Sequence, residues 1–374
     1  MKEIRALTGI RGIAALIVFL SHLRETLSSR GLELPVSDLF KNLFLIGGRQ
    51  VDIFFVLSGF ILALTYQKWF DSSVTSANYL QFLRKRFARI YPLHAVMLVL
   101  TVMLVLAAQH FHARILNGLD RFTFSSLPKD FLLIHAWPFI ATSGTEEMVW
   151  NPPSWSISIE ALAYLMFPVF LWGTSGLRKR HPWILVVAGI AFGFACNAVV
   201  PWDRTGFPGA LRGLSEFALG CITANLFASR AADWLRSNAG AASALALMAV
   251  IFAFTPETWF GIGLVTAPLL LALSGRNFVG AVFGFAPIYF LGEISYSIYL
   301  GHFLFSSIGY RVVNVEWMKS GPLQTLAGIM AITVVVVLLS TITYYTIEKP
   351  GRDLLGGKRK AAARVAAASA AQET

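Results

Sequence analysis

A chain of 374 residues that is 56% hydrophobic and only 14% charged, with a mean hydropathy of +0.63, is too apolar for a soluble globular domain or a charged disordered polymer. Its apolar runs recur from end to end, as in a polytopic membrane protein. A net charge of +11 would suit nucleic acid in a soluble chain. In a membrane protein a basic excess collects in cytoplasmic loops, so no nucleic-acid partner is expected.

The first apolar stretch, RALTGIRGIAALIVFLSHLR, holds two ionisable groups, Arg11 and His22. At ~100° per residue an offset of eleven is three turns plus ~20°, so both leave one face, roughly 16 Å apart along the axis. Thr8, Ala15 and Val18 complete that stripe. An arginine inside a span costs ~2.5 to 3.5 kcal/mol on insertion scales and usually faces a polar cavity or a partner. Arg11 interrupts the run and no small-x-small site follows His22, so the segment is read as retained rather than cleaved.

Ten stretches are long enough, or nearly so, to cross ~30 Å of hydrocarbon. They lie near 6–24, 44–66, 87–109, 153–172, 183–200, 209–228, 240–256, 259–275, 286–309 and 323–347. Residues 131–142, with His135, Trp137 and Pro138, are too short for a span and are expected to form a re-entrant or interfacial helix. With the N-terminus inside, ten spans put most of the 31 Lys and Arg on the cytoplasmic side, including Lys2, Arg84, Arg178, Lys179, Arg180 and Lys360. An eleventh span at 131–142 would send Arg178, Lys179 and Arg180 outside. The expected fold is therefore an all-α transmembrane bundle of about ten spans with both termini cytoplasmic. Residues 1–350 form the membrane domain, and residues 351–374 a basic, alanine-rich tail that is disordered or lies on the anionic inner surface. No soluble domain is expected within or after the bundle, and no internal repeat of the kind common in secondary transporters is visible.

The second span opens GGRQVDIFFVLSGF, placing Asp52 in its outer third, at a depth comparable with His22. The carboxylate could orient and charge-stabilise His22, or pair with Arg49 or Arg11 merely to hold helices together. The third span begins RKRFARIYPLH, where Arg86 and Arg89 share a face at the cytoplasmic edge. Two guanidiniums suit phosphate oxygens, although positive-inside anchoring explains the same cluster. The fourth span, NPPSWSISIEALAYL, carries Trp155, expected in the interfacial belt, and Glu160 deeper in the outer half. In the ninth, Ser295, Tyr299 and His302 fall at i, i+4 and i+7 as one polar stripe, either for substrate or as hydrogen-bond glue between helices. Cys196 and Cys221 sit in apolar runs and read as small buried hydrophobes. His110 and His112, in an outer loop, and His181, in an inner one, lack the spacing of a zinc motif, and no metal is expected.

Together these motifs resemble acyltransferase family three, a family of integral membrane enzymes. The matching residues are Arg11 and His22 in the first span, VDIFFVLSGF in the second, Arg86 and Arg89 before Tyr91-Pro92, Trp155-Ser156 through Glu160, SYSIYLGH ending at His302, and Glu348-Lys349-Pro350 closing the last span. The resemblance implies transfer of an acyl group, mostly acetyl from acetyl-CoA, to hydroxyls of carbohydrates such as surface polysaccharide, lipopolysaccharide or peptidoglycan. It also implies a site in the inner (cell) membrane of a bacterial-type envelope, with no permanently bound cofactor. By the resemblance Arg86 and Arg89 would hold the CoA phosphates, with His22 and Arg11 at the transfer site; the reading of the residues adds Asp52 there and Glu160, Trp155, Ser295, Tyr299 and His302 toward the acceptor. A thioester is an activated donor, so the enzyme chiefly needs a base for the acceptor hydroxyl, and the imidazole of His22 titrates in a suitable range. Direct transfer comes first and an acyl-histidine intermediate second. The competing class is a transporter or flippase, in which Arg11, Asp52, Glu160 and His22 would form a proton or solute path.

Overall fold

The computed structural model describes residues 3–32, 47–111, 122–140, 150–199, 206–254 and 262–357. Among them there is no strand, and the chain is an all-α polytopic bundle. Numbered through the described residues, the helices are α1 (Arg5–Ser29), α2 (Gly47–Phe70), α3 (Ser76–His110), α4 (Leu127–Phe131), α5 (Ser154–Arg180), α6 (Pro182–Val199), α7 (Gly206–Asn225) and α8 (Arg230–Leu235). They continue with α9 (Asn238–Phe254), α10 (Ile262–Leu273), α11 (Phe278–Phe283), α12 (Ala286–Glu293), α13 (Ser295–Val312), α14 (Val315–Met318) and α15 (Pro322–Thr343). A π-turn, Tyr344–Glu348, then leads into α16 (Lys349–Leu355). Arg5–Ser29, Gly47–Phe70, Ser76–His110, Ser154–Arg180 and the continuous run Pro322–Leu355 are each long and apolar enough to cross a membrane.

Lipid tails are as apolar as leucine, so helices in a membrane associate by close packing of small residues. The α2–α7 crossing is built that way. A Cβ on Gly59 would strike the Phe217 carbonyl, and one on Gly220 the Val56 carbonyl, so both backbones meet directly. At the α1–α12 contact Gly12 lies against Gly292 in the same manner. Neighbouring helices run up and down. Gly47 at the start of α2 rests on Ser21 near the end of α1, and Phe70 at the end of α2 stacks edge-on with Phe82 in α3 at 5.7 Å. Arg178 near the end of α5 reaches Asp71 just after α2 at 2.8 Å.

Two expectations are corrected. The stretch 286–309 is not one helix: the chain breaks at Ile294 (φ −89°, ψ 4°), and the Ser295 hydroxyl donates to the Gly292 carbonyl at 2.7 Å, taking up a group the break releases. The described part of 131–142 is not a helix either, because α4 ends at Phe131 and turns follow to Ile140, with positive φ at Leu133 (56°) and Phe139 (68°). This loop is pinned by Ser158, which accepts from the Ala136 amide at 3.1 Å and donates to the Leu133 carbonyl at 2.8 Å, while the Trp137 indole donates to the Ser158 carbonyl at 2.8 Å. His94 donates from Nε2 to the Asp130 carbonyl at 2.9 Å. The part of the tail beyond residue 357, like His112, lies outside the described residues.

Candidate active site

A cavity of about 150 Å³ opens between α1, α2, α3, α5 and α13, and its wall holds Arg11, Arg86, Arg89, Glu160, Ser295 and Tyr299. Helix periodicity explains the α5 contribution. Ser156, Glu160 and Tyr164 are four apart and line the cavity, whereas Ser158, two residues from Ser156 and so ~200° round the helix, holds the 127–140 loop. Glu160 Oε1 accepts from the Ser58 hydroxyl at 2.7 Å and from the Tyr164 hydroxyl at 2.7 Å. Ser156 and Tyr299 share a hydrogen bond of 2.7 Å on the same wall.

The arginines differ in how they are held. Arg89 pairs with Glu348, which ends the π-turn, and the other carboxylate oxygen accepts from the Ser297 hydroxyl at 2.8 Å. Arg86 donates to the Tyr66 hydroxyl at 3.1 Å and lies over that ring, 5.2 Å from its centroid, while its Nε has no partner. Arg11 faces Arg89, Glu348 and Glu160 across the cavity and makes no hydrogen bond or ion pair with the described residues.

His22 stands further along the same stripe of α1, as the periodicity predicts. Ala15 and Val18 between it and Arg11 are buried. Its Nδ1 lies 2.9 Å from the Val18 carbonyl, an acceptor, so Nδ1 is the donor in that contact. The ring stacks on His302 with centroids 5.0 Å apart and planes 30° from parallel. His302 is buried and donates from Nδ1 to the Tyr299 carbonyl at 2.7 Å. Tyr299 thus belongs to both neighbourhoods, its hydroxyl on the cavity wall and its carbonyl on the histidine pair.

The expected partnership of Asp52 with His22 is corrected. Both Asp52 oxygens accept from Arg212 of α7, at 2.7 Å from Nε and 2.8 Å from Nη2, and Arg212 also donates to the Gly48 carbonyl at 3.1 Å. Neither Arg11 nor Arg49 is the hydrogen-bond partner; Arg49 donates to the Phe252 carbonyl at 2.9 Å. Trp155 is also corrected. It is buried against Phe55 with centroids 6.3 Å apart, off the cavity wall rather than in an interfacial belt. Ser295 and Tyr299 do reach the wall, and His302 extends their stripe to His22.

Sequence reasoning left Glu348 without a role, although a carboxylate in the last apolar run carries the same signal as Asp52 and Glu160. Arg212 was missed because it lies 160 residues from Asp52. Cys221 is buried, with its thiol 3.5 Å from the Gly59 carbonyl; the Cys196 side chain lies outside the described residues. Among the described residues no three His, Cys, Asp or Glu side chains cluster as a metal site would need.

The family described as "Acyltransferase domain" matches residues 4–345. Acyltransferase MdmB of Streptomyces mycarofaciens is 28% identical, with 96% of this chain and 94% of that protein aligned. The putative peptidoglycan O-acetyltransferase YrhL of Bacillus subtilis is 25% identical over 94% of this chain, and peptidoglycan O-acetyltransferase OatA of Listeria monocytogenes 24% identical over 84%. Those two alignments span 55% and 51% of the relatives' own lengths. No solved structure matches. With the family matched across nearly its whole length, and Arg11, Arg86, Arg89 and Glu160 of its motifs on one cavity wall, the chain belongs to the acyltransferase-3 family and is an integral membrane acyltransferase.

Proposed function

We propose that this enzyme moves an acyl group, acetyl in the first instance, from cytoplasmic acyl-CoA to a hydroxyl of an envelope carbohydrate, in the inner membrane. The observation that supports this reading is an arginine-lined cavity whose wall residue Tyr299 also accepts, at its carbonyl, from His302, the ring stacked on His22. Guanidiniums suit the donor's phosphates. The relatives named as peptidoglycan O-acetyltransferases support a carbohydrate acceptor.

In the transfer step His22 Nε2 takes the proton of the acceptor hydroxyl as that oxygen attacks the thioester carbonyl carbon. A C–O bond forms and the C–S bond breaks, and the proton passes from the imidazolium to the departing CoA thiolate. Esters and CoA thiol are the products, with no redox change. The Val18 carbonyl accepts from Nδ1, which leaves the base role to Nε2. Detergent-purified enzyme given acetyl-CoA and a peptidoglycan fragment or other glycan acceptor should release CoA thiol in step with ester formation. An intact thioester with every glycan tried would sink the reading. Mass spectrometry of envelope glycans from cells with and without the gene identifies the acceptor.

A further inference from the structure

We propose that the two motif arginines divide their work: Arg86 and Arg11 form the site for the ligand's phosphate oxygens, while Arg89 is held by Glu348 as part of the wall. The inference deepens the donor reading above and rests on it. Arg86 and Arg89, three residues apart on α3, diverge to different neighbours. Arg89 turns toward α13 and the π-turn, where Glu348 accepts its charge, Ser297 holds the second oxygen of Glu348, and the Tyr296 ring lies 5.7 Å from the guanidinium. The π-turn ends at Glu348, Lys349 and Pro350 follow it, and Gly351 then packs against Pro92 of α3, bringing Glu348 alongside Arg89. A ligand that drew Arg89 away would leave a buried carboxylate uncompensated in the bundle.

Arg86 and Arg11 stand differently. Arg86 has one hydrogen bond, to a neutral phenol, and an unpartnered Nε. Arg11 has no hydrogen-bond or ion-pair partner among the described residues, although it lies in a membrane-spanning helix and on the cavity wall. Glu160, on the same wall, accepts two hydroxyls at Oε1, and Glu348 is paired with Arg89. Two guanidiniums from separate helices, both facing one cavity with donor capacity in hand, fit a phosphate ester or a pyrophosphate, whose several oxygens can bridge them. Glu348 is a positioning residue that keeps Arg89 out of that competition.

Calorimetric titration of the full-length, detergent-purified protein with CoA and, separately, with inorganic pyrophosphate tests this. Arg11→Gln and Arg86→Gln should each weaken CoA binding at least tenfold. The paired variant Arg89→Met/Glu348→Met, which removes both charges together, should bind within about threefold of wild type, and the reversed pair Arg89→Glu/Glu348→Arg should do so if the apolar pair fails to fold. CoA binding unchanged in Arg11→Gln, or lost in every folded 89/348 pair, overturns the division. Wild-type protein that binds no CoA overturns the donor reading, and pyrophosphate then decides this one: affinity lost on Arg11→Gln and Arg86→Gln but kept in the pair supports it, and no pyrophosphate binding ends it.

Discussion

Two of the carboxylate–arginine pairs among the described residues sit in unlike places. Asp52 and Arg212 join α2 to α7 with two hydrogen bonds, away from the cavity wall. Glu348 and Arg89 join the π-turn to α3 beside the cavity, within the electrostatic reach of an arginine that has no such partner, Arg11. The difference teaches that, in a membrane, charge satisfied inside the protein and charge offered to a ligand can be told apart by hydrogen-bond accounting. By that accounting Asp52 is an interhelical tie, and the Val18 carbonyl accepts from the His22 imidazole within α1.

The largest effect expected from this comparison is at His22. A general base contributes ~10² to 10⁴ in rate, so His22→Ala should lose at least that much turnover while CoA affinity stays near wild type, because the arginine wall is untouched. Retention of more than about a tenth of the wild-type rate would end the assignment of His22 as base.

Asp52 comes next, and its effect should be on stability. Asp52→Asn takes from buried Arg212 the carboxylate that accepts two of its hydrogen bonds, a loss of up to ~3 to 5 kcal/mol for pairs of this kind. Thermal unfolding in detergent should shift down strongly, whereas turnover per folded molecule changes little. The double variant Asp52→Leu/Arg212→Met should recover most of the stability. If Asp52→Asn folds normally and loses turnover as His22→Ala does, the carboxylate acts in catalysis after all.

Topology is a milder test of the same picture, since it asks only on which side the arginine end lies. With Cys196 and Cys221 replaced by serine, a cysteine at His110, exposed at the end of α3, should react in intact cells with a membrane-impermeant thiol reagent, and one at Ser175 should not. Labelling at 175 would reverse the bundle and place the arginine cavity away from cytoplasmic acyl-CoA.

Much of the site was legible where periodicity governs it. The α1 stripe from Arg11 to His22 and the α13 stripe from Ser295 to His302 both follow from ~100° per residue, and the structure joins their far ends at the stacked imidazoles. What sequence could not supply was the choice among distant partners. Asp52 had Arg49 close by, Arg11, and His22 at a similar depth as candidates, yet it took Arg212, which the glycine-mediated α2–α7 contact brings alongside. The break at Ile294 and the π-turn escaped because both lie in apolar runs whose composition is that of a continuous helix, and only packing against α1 and α3 decides where the backbone departs from it.

The smallest effect expected is at His302, and it separates two roles for the stacked pair. His302 is buried, presents a ring face to His22 and gives its Nδ1 proton to the Tyr299 carbonyl within its own helix. If the ring serves as a plate that fixes the His22 imidazole, His302→Phe keeps an aromatic surface there and loses one neutral hydrogen bond. Such a bond is worth ~0.5 to 1.5 kcal/mol, so turnover should fall by a factor of about 2 to 12 with CoA affinity unchanged. His302→Ala removes the plate and should cost more than His302→Phe, because His22 then samples other rotamers. A relay in which His302 itself moves the proton predicts the opposite pattern: phenylalanine, which has no titratable nitrogen, would be as inactive as alanine. Turnover of the two variants measured across a pH series decides between them, since loss of a relay alters the pH profile and loss of a plate lowers the rate at every pH alike.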